Sequence, residues 1–249
     1  MNNFSKKEKR MIFLSLILSF VFFMEENVSA MHIMEGYLPA GHCIAWGAIC
    51  IPFLVIGIIN IKNTVKEKPK TIMILAMSGA FIFVVSSLKI PSVTGSCSHM
   101  TGTGLAAILF GVTSTSVLGI IVLIFQAILL AHGGITTLGA NTFSMAIGGP
   151  IVAYLLYRAG KKLNINKKVN IFIAAALGDL ITYCITSIQL AVAYPSPDGG
   201  VLASAVKFLA VFAPTQVPLA IVEGILTVLI IIGLETYASP ELEQLNYYE

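Results

Sequence analysis

Residues 102–131 read G-T-G-L-A-A-I-L-F-G-V-T-S-T-S-V-L-G-I-I-V-L-I-F-Q-A-I-L-L-A, an apolar run broken only by the polar stretch Thr113-Ser114-Thr115-Ser116. One crossing of a bilayer needs about 20 apolar residues. The run is therefore either one long tilted helix or two short ones, and the choice fixes the topology. Its flanking loops decide. Lys62, Lys66, Lys68 and Lys70 crowd the loop before the preceding apolar run, and Arg158, Lys161, Lys162, Lys167 and Lys168 crowd the loop after the next one. Loops rich in lysine and arginine stay cytoplasmic, so an even number of crossings separates the two. The runs 71–90 and 139–158 supply two of them. The stretch between must supply two more, at about 102–112 and 115–131.

Working outward, further apolar runs cover 42–61, 171–193 and 214–236. The expected fold is all-α: a polytopic membrane helix bundle in the lipid bilayer, with seven transmembrane helices once an N-terminal signal is removed. The mature N-terminus and residues 91–100 then lie outside the cell membrane, and the tail from Glu235 lies in the cytoplasm. Residues 201–213 follow a turn at Pro195 and Pro197 and read as an interfacial or re-entrant helix on the outer face. Composition agrees: 57% hydrophobic and 11% charged residues, with a mean hydropathy of +0.89, exclude an ordinary soluble domain. A net charge of +3 says nothing of a polyanionic partner, and no basic patch interleaved with aromatics points to nucleic acid, so no nucleic-acid partner is expected. The four cysteines form no C-x-x-C pair. No G-x-x-x-x-G-K-[ST] is present, so the chain has no P-loop for ATP. It shows no internal repeat that would suggest an inverted-repeat carrier.

Residues 1–30 read as a cleavable signal peptide, leaving 31–249 as the seven-span membrane domain. Lys6, Lys7, Lys9 and Arg10 precede an apolar stretch, Met11 to Met24, too short for a comfortable span, and Val28-Ser29-Ala30 supplies the small residues of a cleavage site. An uncleaved signal anchor is the alternative. Cleavage after Ala30 makes Met31 the first residue and His32 the second. That order has its own chelate chemistry. The Met31 amine and the His32 backbone nitrogen close a five-membered ring on a metal, and that nitrogen with His32 Nδ1 closes a six-membered one. Three nitrogens are then fixed in one plane, which suits tetragonal Ni(II) or Cu(II) and is open to Co(II). A fourth donor is needed, and His99 lies on the same membrane face. The metal ligands expected are thus Met31, His32 and His99.

Three stretches, M-H-I-M-E-G-Y-L-P at 31–39, K-I-P-S-V-T-G-S-C-S-H at 89–99 and L-L-A-H-G-G-I-T-T-L-G-A-N-T-F-S-M-A at 129–146, closely resemble the CbiM family, with its nickel relative NikM. These are the substrate-capture subunits of energy-coupling-factor (ECF) transporters. The resemblance runs from Met31 to about Ile231 and implies seven spans and cobalt (Co2+) as transported substrate, with nickel as the alternative. It implies a metal held by the terminal amine, the nitrogens of the second residue and one loop histidine, here Met31, His32 and His99. It also implies partners: a membrane coupling (T) subunit, ATP-binding subunits and a small accessory membrane subunit, the complex feeding cobalamin biosynthesis. The chain itself would be a transport subunit and not an enzyme. Met34-Glu35 follows the cobalt spelling, where nickel subunits have Pro-Asp. Met100, where the family has proline, and His42 depart from the pattern.

Other polar residues have readings of their own. His132 in H-G-G reads as outer support or loop anchoring, with a ligand role the less favoured option, and His42 as an interface residue. Asn141, Gln126, Gln189 and Gln216 are candidates to orient ligands. Asp179 and Glu223 lie inside spans, where a bare charge is costly; they accept hydrogen bonds or relay protons or metal. Cys97 is not needed by an all-nitrogen site. Ala76-x-x-x-Ala80 is a small-residue helix-packing pattern. An ion-coupled secondary carrier and a membrane metalloenzyme are rival functions. No H-E-x-x-H is present to favour the second.

Overall fold

The computed structural model describes residues 32–91, 97–245 and 247. The signal peptide and Met31 lie outside the described residues. The chain is a helical bundle with α1 over Ala40–Glu67, α2 over Thr71–Ser87, α3 over Thr103–Leu130, α4 over Leu138–Lys162, α5 over Lys167–Ala193, α6 over Gly200–Tyr237 and a short α7 over Ser239–Gln244. Five of these, α1 and α3 to α6, are long and apolar enough to cross a membrane, and α2 is a shorter apolar helix. The extended structure among the described residues is a two-residue antiparallel ladder, Ile90–Pro91 with Cys97–Ser98.

Helix α3 is the element on which the topology turns, and it is not straight. Twenty-eight residues at 1.5 Å each would span about 42 Å. Yet His99, just before α3, and His132, just after it, both lie within 2.8 Å of His32. The helix must double back. It does so at Gly111, whose φ of 77° and ψ of 172° are non-helical and open almost only to glycine. The limbs are 103–110 and 112–130. Leu109 and Phe110 lie beside Thr64, Glu67 and Lys68, so the bend sits at the end of α1 that carries the lysine loop. The expected doubling is present, but its position is corrected from Thr113–Ser116 to Gly111.

That correction has a local cause. Thr115 Oγ1 donates to the Gly111 carbonyl at 2.8 Å and Ser116 Oγ to the Thr113 carbonyl at 2.6 Å. Hydroxyls that bond back into their own helix are tolerated in apolar surroundings. The polar cluster therefore continues the second limb instead of breaking it.

A second correction concerns 201–213. This stretch is no separate interfacial element but the first part of α6, which runs on through Pro214 and Pro218. Prolines are accepted in membrane helices when neighbours satisfy the backbone they disturb. Near them, the Tyr183 hydroxyl donates to the Leu209 carbonyl in the turn before Pro214.

Small residues bring the helices together. A Cβ on Gly57 of α1 would run into the Thr113 carbonyl, so glycine there lets α1 touch the bend of α3. Asn60 Nδ2 adds a 2.9 Å bond to Thr113 Oγ1. Ala76 and Ala80, by contrast, are exposed on α2. The isoleucines of α1 at 44, 49, 51, 56, 58 and 59 are also exposed, as expected of a face turned to lipid. At the lysine-loop end, Lys167 pairs with Glu235 at 2.5 Å and packs over the Tyr247 ring.

Candidate metal centre

The chain entering α1 threads into the bundle, with Ile33 buried. Extended backbone inside a bundle needs partners for its polar groups, and the 132–141 segment supplies them. Asn141 Oδ1 accepts from the Ile33 N–H at 2.8 Å, while its Nδ2 donates to the Ile33 carbonyl at 3.0 Å. Thr137 Oγ1 donates to that carbonyl at 2.6 Å. Further out, Glu35 accepts from the Thr136 N–H at 3.2 Å, and the Gly36 N–H donates to Thr136 Oγ1 at 3.1 Å. A Cβ at Gly134 would fall 2.5 Å from Glu35 Cα. The H-G-G turn is therefore bare because the N-terminal segment lies on it.

This clamp delivers His32 into the bundle, 3% exposed, against His99 and His132, each 1% exposed. His32 Nδ1 is 2.8 Å from His99 Nε2 and 2.7 Å from His132 Nε2. The outer nitrogens of two rings are occupied. His32 Nε2 faces Met145 Sδ at 3.2 Å, and His99 Nδ1 faces the Met100 carbonyl at 2.8 Å. Those contacts can hold the ring protons on the outer nitrogens. In that tautomer pair, His32 Nδ1 and His99 Nε2 turn their lone pairs to one space, a place suited to a cation; with a proton between them, they share a hydrogen bond instead. Partners that hold the outer N–H of a histidine and turn its inner nitrogen to one point are the usual support of a metal-binding imidazole.

Electrostatics reinforce this. Burial lowers the His32 pKa well below its ordinary range, assisted by the neighbouring histidines and Lys89. Burial takes His99 down to about 4, against a partly opposing bond to Met100, and His132 down to about 2. The rings are neutral at physiological pH and available as ligands. Glu35, at the exposed mouth, is lowered first by its bond from Thr136.

Known proteins resemble the chain over most of its length. The family described as "Cobalt uptake substrate-specific transmembrane region" matches residues 32–241. The chain belongs to the CbiM family. Among its relatives, the cobalt transport protein CbiM of Lachnoclostridium phytofermentans is 67% identical over 242 residues, covering 97% of each chain. That of Clostridioides difficile is 63% identical over 202 residues, covering 81% of each. Two solved crystal structures share the fold. A truncated transition metal transporter superposes with a TM-score of 0.71 at 28% identity, covering 83% of this chain and 99% of that one. A transition metal transporter superposes with a TM-score of 0.66 at 27% identity, covering 82% and 92%.

Of the residues that sequence reasoning singled out in this CbiM-family chain, the structure brings His32 and His99 together. Met31 and the Cys97 side chain lie outside the described residues. His42 sits half-buried in the first turn of α1, apart from the cluster. His132, read from sequence as support, points a nitrogen at the same place as His99. The signal for it was the H-G-G triplet, since two glycines after a histidine let a turn press against another chain segment.

The orienting residues fall into place around the rings. The Gln126 carbonyl accepts from the His132 N–H at 3.1 Å, and Gln126 Nε2 donates to Ser86 Oγ at 2.7 Å. Gln189 Nε2 donates to the Ala140 carbonyl at 3.1 Å, bracing the segment that carries Asn141. Beneath His99, Gln216 Nε2 bonds the His99 carbonyl at 3.2 Å and Asp179 Oδ2 at 2.6 Å. The Glu223 carboxylate accepts from the Thr101 N–H at 2.6 Å and from Thr101 Oγ1 at 2.9 Å. Glu223 thus holds the backbone two residues after His99, and helix α6 carries both of these supports.

Proposed function

We propose that this chain captures Co2+ outside the cell at an all-nitrogen site for import. The ion is the transported substrate. Its ligands are the Met31 amine, the His32 backbone nitrogen and Nδ1, and His99 Nε2. The observation that carries the reading is the 2.8 Å approach of His32 Nδ1 to His99 Nε2, with the far nitrogen of each ring facing an acceptor. Neutral, buried, preoriented imidazoles lose little freedom when the ion arrives. Membership of a cobalt-uptake family favours cobalt, and nickel is the alternative substrate.

The rest of the proposal follows the family. A signal peptide is removed after Ala30, seven crossings put the mature N-terminus outside and the tail in the cytoplasm, and the lysine loops face inward. A coupling subunit, ATP-binding subunits and a small accessory subunit drive release, and the cobalt feeds cobalamin synthesis. The chain works as a subunit without its own ATPase site. An ion-coupled carrier would use Asp179 and Glu223 as a relay; against it, Thr101 bonds both Glu223 oxygens and Gln216 holds Asp179, which gives the two acids a positioning role.

The test is metal content and calorimetric affinity of protein whose mature chain starts at Met31 or, with one residue added, at Ala30. Cobalt retention only by the first, and its loss in His99→Ala, support the site. Equal cobalt in both chain-end forms refutes the terminal chelate. Labelling of a single cysteine at position 166 from outside intact cells would refute the topology. Cobalt uptake without co-expressed ATPase subunits would refute the ATP-driven assignment.

A further inference from the structure

Helices α5 and α6 are tied together at two levels. Inside the bundle, Gly224 of α6 lies against Phe172 of α5, where a Cβ would fall 2.6 Å from the ring. At the lysine-loop end, Lys167 pairs with Glu235 at 2.5 Å. Between the two ties runs a groove of about 270 Å³. It is lined by Lys168, Val169 and Phe172 of α5 and by Ile225, Val228 and Leu229 of α6. Val169, Ile225 and Leu229 are exposed, so the groove faces outward from the bundle.

Five of these six side chains are hydrocarbon, and lipid tails are as apolar as they are. The sixth, Lys168, decides which lipid fits. It makes no ion pair among the described residues, and the first turn of α5 carries no acidic residue. Arg158, Lys161, Lys162 and Lys167 crowd the same stretch of chain. A lysine stem lies along apolar surface while its ammonium reaches the headgroups, and basic clusters at this level draw anionic lipid. The groove is also short. From 168 to 172 and from 225 to 229, each helix rises about 6 Å, whereas a partner helix is about 10–12 Å across with its side chains. That length suits the part of an acyl chain next to its headgroup.

We propose that this groove seats one anionic phospholipid, with its phosphate at the Lys168 ammonium and the start of an acyl chain between α5 and α6. The inference rests on the proposed placing of the lysine-loop end at a bilayer surface, and not on the metal centre.

The experiment uses the full chain in phosphatidylcholine nanodiscs that contain limiting phosphatidylglycerol with a photoreactive group near the start of one acyl chain. Cross-linked peptides are then mapped. Attachment within 168–172 and 225–229 supports the seat. In Lys168→Gln the yield there should fall about fivefold, the effect of one lysine at a membrane surface. Lys66→Gln, exposed at the same end of α1, should leave it unchanged. An equal fall in both variants reduces the effect to general surface charge and overturns the local site. Equal yields in wild type and Lys168→Gln, or from photoreactive phosphatidylcholine, overturn the anionic headgroup. Attachment only elsewhere in the chain overturns the groove. In native membranes, a photoreactive analogue replacing Val228 should capture lipid; capture of a protein there instead assigns the groove to a partner helix and overturns the proposal. Both leaflets of the nanodisc carry the same lipid, so an inverted topology, read by labelling at position 166, fails separately from the lipid seat.

Discussion

Replacing Asn141 with leucine, a side chain of similar size, removes the two-point clamp on Ile33 and little else. Two buried hydrogen bonds to Ile33 disappear, those from its N–H at 2.8 Å and to its carbonyl at 3.0 Å, together with a longer 3.4 Å bond to Thr137 Oγ1. The carbonyl keeps Thr137 Oγ1, but the N–H of buried Ile33 loses its acceptor. A buried donor stranded in this way costs about 1–3 kcal/mol, and the lost carbonyl bond adds about 1 kcal/mol. The docked terminus should therefore be weakened by about 2–4 kcal/mol, a factor of about 30 to 1,000. How much of this reaches the metal depends on how far docking was favoured beforehand, because affinity falls only by the fraction of chain left undocked. Two assays together settle it. Hydrogen exchange of the Ile33 amide reads the opening directly, and calorimetry reads the cobalt affinity. Fast exchange with weakened binding is the expected pair. Exchange as slow as in the wild type, with cobalt affinity within about threefold, would refute the claim that this clamp positions His32.

Four other outcomes follow from the same geometry. Gly134→Ala places a Cβ against the Glu35 backbone, and should weaken cobalt binding in calorimetry without lowering the melting temperature as a core cavity would. Gly111→Ala meets no neighbour within 4 Å, yet puts alanine at a φ of 77°; strain of about 1–3 kcal/mol should lower the thermal midpoint in detergent. Glu223→Leu strands the Thr101 N–H and should reduce cobalt affinity more than Glu223→Gln, which keeps one acceptor; equal losses would argue against a positioning role. Because His99 is held to about 4 and His132 to about 2, these rings compete with protons only well below neutrality. The fall in affinity from pH 8 to pH 6 should then track the terminal amine, whose ordinary value is about 8, and a distinct break near the ordinary imidazole value of 6.5 in a spectroscopic cobalt titration would count against them as buried neutral ligands.

The doubling back of α3 was legible because loop charge constrains the parity of crossings, a count that does not depend on local conformation. The place of the bend was not. Polarity at Thr113–Ser116 suggested a break, but hydroxyls bonding carbonyls in their own helix conceal their polarity, while Gly111 looks like any membrane glycine until its φ is known. The meeting of His32 and His99 was readable because loop charge puts both on one face of the membrane. The reach of His132 was not, since it depends on how closely two segments about a hundred residues apart approach across Gly133 and Gly134. The extension of α6 through 201–213 was hidden for a related reason: proline reads as a helix stop in water but is a tolerable interruption among packed helices.

The bend at Gly111 also brings the two ends of α3 to one place. Its limbs leave His99 and return to His132, both within 2.8 Å of His32, so the docked N-terminal segment bridges the open end of a hairpin whose closed end lies at Gly111. Segment and hairpin should therefore open together, and amides on both limbs should lose protection from exchange when the segment is displaced. The linkage runs both ways. A movement at the lysine-loop end that tilts the limbs apart would loosen the docked segment without any group touching it.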